Sequence, residues 1–202
     1  MVTLYFNNAV NQAWDTLGNW WTDAGCTSAA AAIPATGDTV IVVADATLGS
    51  APSVLIQPAS VQFVATEGTG AALNSANLTA FSCAIEFNSG SYNDGTVTTG
   101  TFNDNSINGG TVTTGTFNGS SNNNYGSVTT GTFNDSSYNS SGTVTTGTFN
   151  DSSSNNSGTV TTAIVRQRIS AFLAWRDYCS SSYVGTLELK FPELDVIGGG
   201  LT

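Results

Sequence analysis

All-β is the fold class that this 202-residue sequence predicts, and three observations carry the prediction. The nonapeptide GTVTTGTFN stands at 95–103, 110–118 and 142–150, as GSVTTGTFN at 126–134, and shortened to GTVTT at 158–162. Within it, Thr96-Val97-Thr98 and Thr101-Phe102-Asn103 alternate polar and apolar residues with the two-residue period of a strand. Between copies lie runs such as NDNSINGG, in which Asn, Gly and Ser occur in turn proportions. A period this short does not accommodate helical hairpins. Each unit reads as two or three very short strands with a corner at Thr99-Gly100. No unit can bury its own Val and Phe, but stacked units can. The predicted architecture is a single-stranded parallel β-solenoid of 15–16-residue coils, with a Trp-rich N-terminal cap and an amphipathic helix as C-terminal cap.

The columns follow from the phase. Val97, Val112, Val128, Val144 and Val160 form one inward ladder, and Phe87, Phe102, Phe117, Phe133 and Phe149 a second. Ile107 and Tyr138 are expected to help fill the third side, with Tyr125 nearby but out of phase. Gly100, Gly115, Gly131 and Gly147 recur where a corner needs close packing or an unusual backbone angle. Asn103, Asn118, Asn134 and Asn150 predict a ladder of side-chain amides bonded along the stack. Five coils at the usual strand spacing give a rod about 25 Å long. Flexible linkers share this composition, but a linker has no reason to keep Val and Phe in phase.

Ahead of the repeats, residues 1–46 read as the N-terminal cap leading into the solenoid, and 47–94 as irregular coils. TVIVVADA, SVLIQ, SVQFVAT and CAIEFN are strand-like runs. Phe87-Asn88 precedes Phe102-Asn103 by one period, so CAIEFNSGSYND is a degenerate coil in register. Gly18-Asn19-Trp20, a variable loop, and then Pro34-x-x-Gly37-Asp38-x-Val40-x-Val42 resemble the opening segment of many parallel β-helix proteins, over about residues 17–45. The resemblance implies a Trp-containing cap and a first coil that begins at the Gly-Asp turn. Trp14, Trp20 and Trp21 are the residues to plug an end that would otherwise expose unpaired edges.

The regular repeats span 95–162, and the character changes over 163–202. AIVRQRISAFLAWRDYC places Val165, Ile169, Phe172 and Trp175 near helical spacing among Arg166, Arg168 and Arg176. This predicts an amphipathic helix that caps the stack and attaches it to a partner, followed by a strand in TLELKFPELDVIGGGLT.

Charge bounds the partners. The net charge is −10, and all four cations (Arg166, Arg168, Arg176, Lys190) lie in the last 37 residues. The repeats hold acids and no base, so neither nucleic acid nor an anionic bilayer is expected as a partner. Cys26, Cys83 and Cys179 are too scattered for a disulfide framework or a metal site, and read as buried free thiols or one long-range pair. The N-terminus shows no secretory pattern, and no segment reaches the length of a membrane span.

Without histidine, Ser-His-Asp and Cys-His chemistry is excluded. GTVTTG lacks the Lys-Ser/Thr of a phosphate-binding loop. Asp104, Asp135 and Asp151 occupy one place in their coils with Gly119 at the missing step; stacked carboxylates suit Ca²⁺ or glycoside chemistry, but Asx residues also simply make turns. No enzyme activity, metal or cofactor is expected. Thr96 and Thr98 face outward with their counterparts, giving two Thr columns that resemble those of ice-binding β-solenoids, although Ser127 interrupts one and the 15-residue first unit is expected to offset its neighbours.

Residues 85–162 resemble the TFNDSS-YN-GTVT arrays of bacterial and phage sequences. The resemblance implies a tailed-phage virion component made in the host cytoplasm: a capsid decoration protein or a segment of a tail fibre or tailspike. Its partners would be other virion proteins and copies of itself, a trimer among the options. An ice-binding protein is the alternative, with a surface adhesin or a carbohydrate-binding β-helix as a further one.

Overall fold

The computed structural model describes residues 1–65 and 71–166, together with the backbone of 183–189. The first part contains β1 (Thr3–Phe6), β2 (Trp20–Trp21), β3 (Thr39–Val42), β4 (Thr47–Leu48), β5 (Ser60–Val64), β6 (Leu73–Asn74), β7 (Ile85–Asn88) and β8 (Tyr92–Asn93). The repeats then alternate long and short strands: β9 (Thr96–Phe102), β10 (Ile107–Asn108), β11 (Thr111–Phe117), β12 (Asn122–Asn123), β13 (Ser127–Phe133), β14 (Tyr138–Asn139), β15 (Thr143–Asn150), β16 (Ser154–Asn155) and β17 (Thr159–Arg166), with β18 (Tyr183–Leu189) last. Long strands, with the two-residue β2 at one edge, form an 11-stranded sheet in the order β18-β17-β15-β13-β11-β9-β7-β5-β3-β1-β2, and two-residue strands a seven-stranded sheet in the order β16-β14-β12-β10-β8-β6-β4. Within the long sheet every pair is parallel except β1 with β2. The molecule is a parallel β-solenoid.

Register follows the repeat. Val112 lies opposite Val97 and Val128, and Phe117 opposite Phe102 and Phe133. The five Val and five Phe of the predicted ladders are all buried. Phe63 extends the aromatic ladder by a coil, stacked on Phe87 with centroids 4.9 Å apart. From Phe87 to Phe149 successive rings sit 4.6–4.9 Å apart with planes within 7° of each other. Burying one such ring is worth about 1.5–3 kcal/mol. The stack is repeated without a change of partner.

The predicted corner is displaced by one residue. The long strand continues through Gly100, and its bend falls at Thr98-Thr99, which both turn away from a core that takes Val97 and Gly100. The glycine column serves close packing. A Cβ on Gly115 or Gly131 would lie 2.8 Å from Cε2 of the coil's own Phe117 or Phe133. Where Val165 replaces the phenylalanine, Ala163 replaces the glycine.

Four other expectations are corrected. The third side is not filled by Ile107 and Tyr138: both point outward, and the inward positions beside them are Ser106 and Asn108, Ser137 and Asn139, all buried. Two-residue strands have their inward side set by their neighbours, and here the amides gain partners inside that an apolar side chain could not supply. The predicted helix does not begin at Ala163, because Ala163–Arg166 belong to β17, with Val165 buried opposite Phe149 and Arg166 exposed at the strand end. Arg168, Ile169, Phe172, Trp175 and Arg176 lie outside the described residues. SVLIQ is not a strand, and its Val54 and Leu55 are 70% and 69% exposed. Cys26 and Cys83 are free and half-buried rather than buried, with both thiols pushed up in pKa chiefly by burial; Cys179 lies outside the described residues.

At the first end, Trp14 and Trp20 are fully buried and meet edge to face at 5.0 Å, Trp20 also meets Phe6, and Trp21 is half-buried. The Gly-Asp turn works as a clasp. Gly37 takes a positive φ of 88°, and the Asp38 carboxylate accepts N–H bonds from Val2 at 2.9 Å and Ala35 at 3.0 Å. Those two backbone donors, Ala35 first, hold the Asp38 carboxyl below its ordinary pKa.

Candidate functional site

Two amide ladders run along the stack. The predicted one passes from Asn150 to Asn134, Asn118, Asn103 and Asn88, each Nδ2 donating to the Oδ1 of the preceding coil at 2.7–2.9 Å. The second is inside the coil and was not anticipated. It passes from Asn74 through Asn93, Asn108, Asn123 and Asn139 to Asn155, each Nδ2 donating to the next coil at 2.6–2.8 Å. The two ladders therefore have opposite polarity. The inner amides are fixed by a further bond to a carbonyl two or three residues on, as from Asn123 to Gly126 at 3.1 Å. That bond requires a bare corner: a Cβ on Gly142 would run into Asn123 Nδ2. The sequence signal was available in the phase of Asn108, Asn123, Asn139 and Asn155, each three or four residues before the Thr111, Ser127, Thr143 or Thr159 that opens the next long strand.

The outward side of the long strands is a threonine array. Thr111, Ser127, Thr143 and Thr159 align, as do Thr114, Thr130, Thr146 and Thr162, and Thr116, Thr132 and Thr148. Thr98, Thr113, Thr129, Thr145 and Thr161 are all exposed. The 15-residue unit causes no offset: Thr96 pairs with Thr111 and Phe102 with Phe117, because the missing residue is taken from the Gly109-Gly110 corner.

Asp104, Asp135 and Asp151 are brought into one exposed column, at positive φ of 46°, 56° and 53°, with Gly119 at 64° between the first two. Left-handed turn positions favour Asx and Gly, and Asp135 also accepts the Gly119 N–H at 3.3 Å. Turn geometry accounts for the column. Among the described residues no three His, Cys, Asp or Glu side chains stand close enough together to hold a metal. No described helix is long and apolar enough to cross a membrane.

No protein-family model, curated protein or solved structure matches the chain. Its function is therefore argued from its surfaces. Beyond the array and the turns these include an apolar cavity of about 150 Å³ between Ala51, Pro52, Leu55, Leu78 and Phe81, and the outer column of the short-strand sheet.

Proposed function

We propose that this chain is a non-enzymatic structural element, a stiff spine within a larger assembly, and in the first instance a tailed-phage virion component such as a capsid decoration protein or a segment of a tail fibre or tailspike. The observation that carries the reading is the use of the buried side chains. From Asn74 to Asn155 the inner amides, and from Phe63 to Phe149 the aromatic rings, bond or stack to the next coil. Such a stack resists bending because every coil is fixed to both neighbours. The virion assignment is supported by the repeat-array resemblance. Particles released by lysis of producing cells and banded on a density gradient are expected to carry the chain; its absence from every particle band removes the virion reading.

The in-register threonine columns favour a second reading, an ice-binding face. It predicts thermal hysteresis by the purified chain, abolished by Thr145→Tyr. Hysteresis unchanged by that substitution, or none at millimolar protein, excludes it.

A further inference from the structure

The outer side of the short-strand sheet carries features that a spine does not need. Its column, one residue per coil, is Leu73, Tyr92, Ile107, Asn122 and Tyr138 in register. Four of these are half-buried, whereas Asn122 is only 8% exposed. The Asn122 Oδ1 is buried without a hydrogen-bond partner, as are Trp14 Nε1 and the Oγ atoms of Ser60, Ser91, Ser106 and Ser121 elsewhere in the stack. In the same coil, Tyr125 is 76% exposed and sits at a φ of 67°. A bulky side chain is unfavourable in that region, and such outliers concentrate at working surfaces. The next two coils place Ser141 and Ser157 at this corner. Exposed carboxylates border the column, with Asp104, Asp135 and Asp151 along one corner and Asp94 at the other.

The column thus offers tyrosine rings edged by exposed carboxylates. Its occupant has to bring N–H donors, positive charge and apolar surface. Residues 166–176, RQRISAFLAWR, supply three of the chain's four cations together with Ile169, Phe172 and Trp175, whereas residues 1–165 contain no Lys or Arg. Guanidinium groups pair with carboxylates and pack on aromatic faces. We propose that residues 166–176 of a second copy dock on this acid-edged tyrosine column, joining copies segment to face. The proposal rests on the assembly reading above and names its receiving surface. Pairing two columns face to face would oppose carboxylate to carboxylate, which charge complementarity disfavours. A segment-to-face contact is heterologous and so closes into rings or extends into chains.

Light scattering on the full chain tests this. At low salt the molar mass is expected to exceed that of one copy and to fall toward it in 0.5 M NaCl. Arg168→Glu/Arg176→Glu and Asp104→Lys/Asp135→Lys should each self-associate at least tenfold more weakly. Their equimolar mixture should regain association, because each then meets an opposite charge on the other. Tyr125→Ser should weaken association without lowering the melting temperature, since the ring is 76% exposed. A monomeric full chain, an oligomer indifferent to both charge reversals, or a mixture that fails to regain association overturns the proposal. A neutral polysaccharide retained by a monomer, and lost with Tyr125→Ser, likewise overturns it. A monomer in solution that still bands with particles leaves the spine reading standing while this inference falls.

Discussion

The coils before residue 95 and those after it solve the same packing problem differently. In the early coils unlike side chains fit by shape: Trp14 meets Trp20 edge to face and Phe81 at 57°, with Leu48, Ala72, Ala76 and Leu78 filling the remaining space. In the later coils like lies over like, with phenylalanines nearly coplanar and serine and asparagine as interior residues. A polar interior is costly unless every group finds a partner. Strict translation meets that condition for the asparagines, because an amide that donates to one neighbour and accepts from the other is satisfied at every step, whereas the Oγ atoms of Ser91, Ser106 and Ser121 stay unpartnered inside. The irregular coils keep the translation only in the ring stack that starts at Phe63, the inner ladder that starts at Asn74 and the outer one that starts at Asn88, and otherwise rely on apolar packing.

The comparison is broken most severely by Phe117→Ala, which removes a ring from the middle of the stack and leaves a cavity. The expected loss is about 3–5 kcal/mol in urea unfolding. Next comes Asn123→Ala, which deprives Asn108 Nδ2 of its acceptor and Asn139 Oδ1 of its donor. About 1–3 kcal/mol is expected for each group left unpaired, and an unchanged midpoint would show that the inner ladder contributes nothing to stability.

Gly147→Ala sharpens the comparison by swapping one coil's packing rule for another's. Its Cβ would lie 2.7 Å from Phe149 Cε2, and overpacking of this kind costs about 1–3 kcal/mol. Adding Phe149→Val should make the alanine tolerable, as Ala163 and Val165 already coexist. The double variant is expected to show a favourable coupling between the two sites. Additive losses would mean that the glycine is kept for another reason.

The smallest effect concerns acid. Asp38, lowered in the folded state by the Ala35 and Val2 N–H groups, stabilises the first end at pH above the ordinary aspartate range. That contribution is lost as pH falls through the lowered folded value. Tryptophan fluorescence should report loosening around Trp14 and Trp20 on acidification, and Asp38→Asn should flatten that response. The neutral ladder amides of the later coils do not titrate in this range.

The solenoid was legible because Val97 and Phe102 keep phase with their counterparts, and phase survives translation from sequence to stack. The outer amide ladder was legible for the same reason. The inner one was missed because Ile107 and Tyr138 looked like the natural fillers of a third side, and hydropathy does not reveal that an asparagine can be satisfied by its own copy one coil away. The strand Thr159–Arg166 was missed because Val165 and Arg166 also fit a helical spacing, while the decisive fact, pairing with Phe149 and Asn150, is not local. Tyr125 was seen to be out of phase, but only its exposure and backbone angle single it out.

In-register coils have a consequence for inheritance. Removing residues 126–141 would lay Thr143 on Thr111, Val144 on Val112 and Asn139's successor Asn155 above Asn123, with every ladder intact and the rod shorter by one step of about 4.8 Å. Units this alike in amino-acid sequence can be lost or gained whole without changing what any coil meets above and below it. The length of this molecule is a count that replication can raise or lower by one without redesigning the interior.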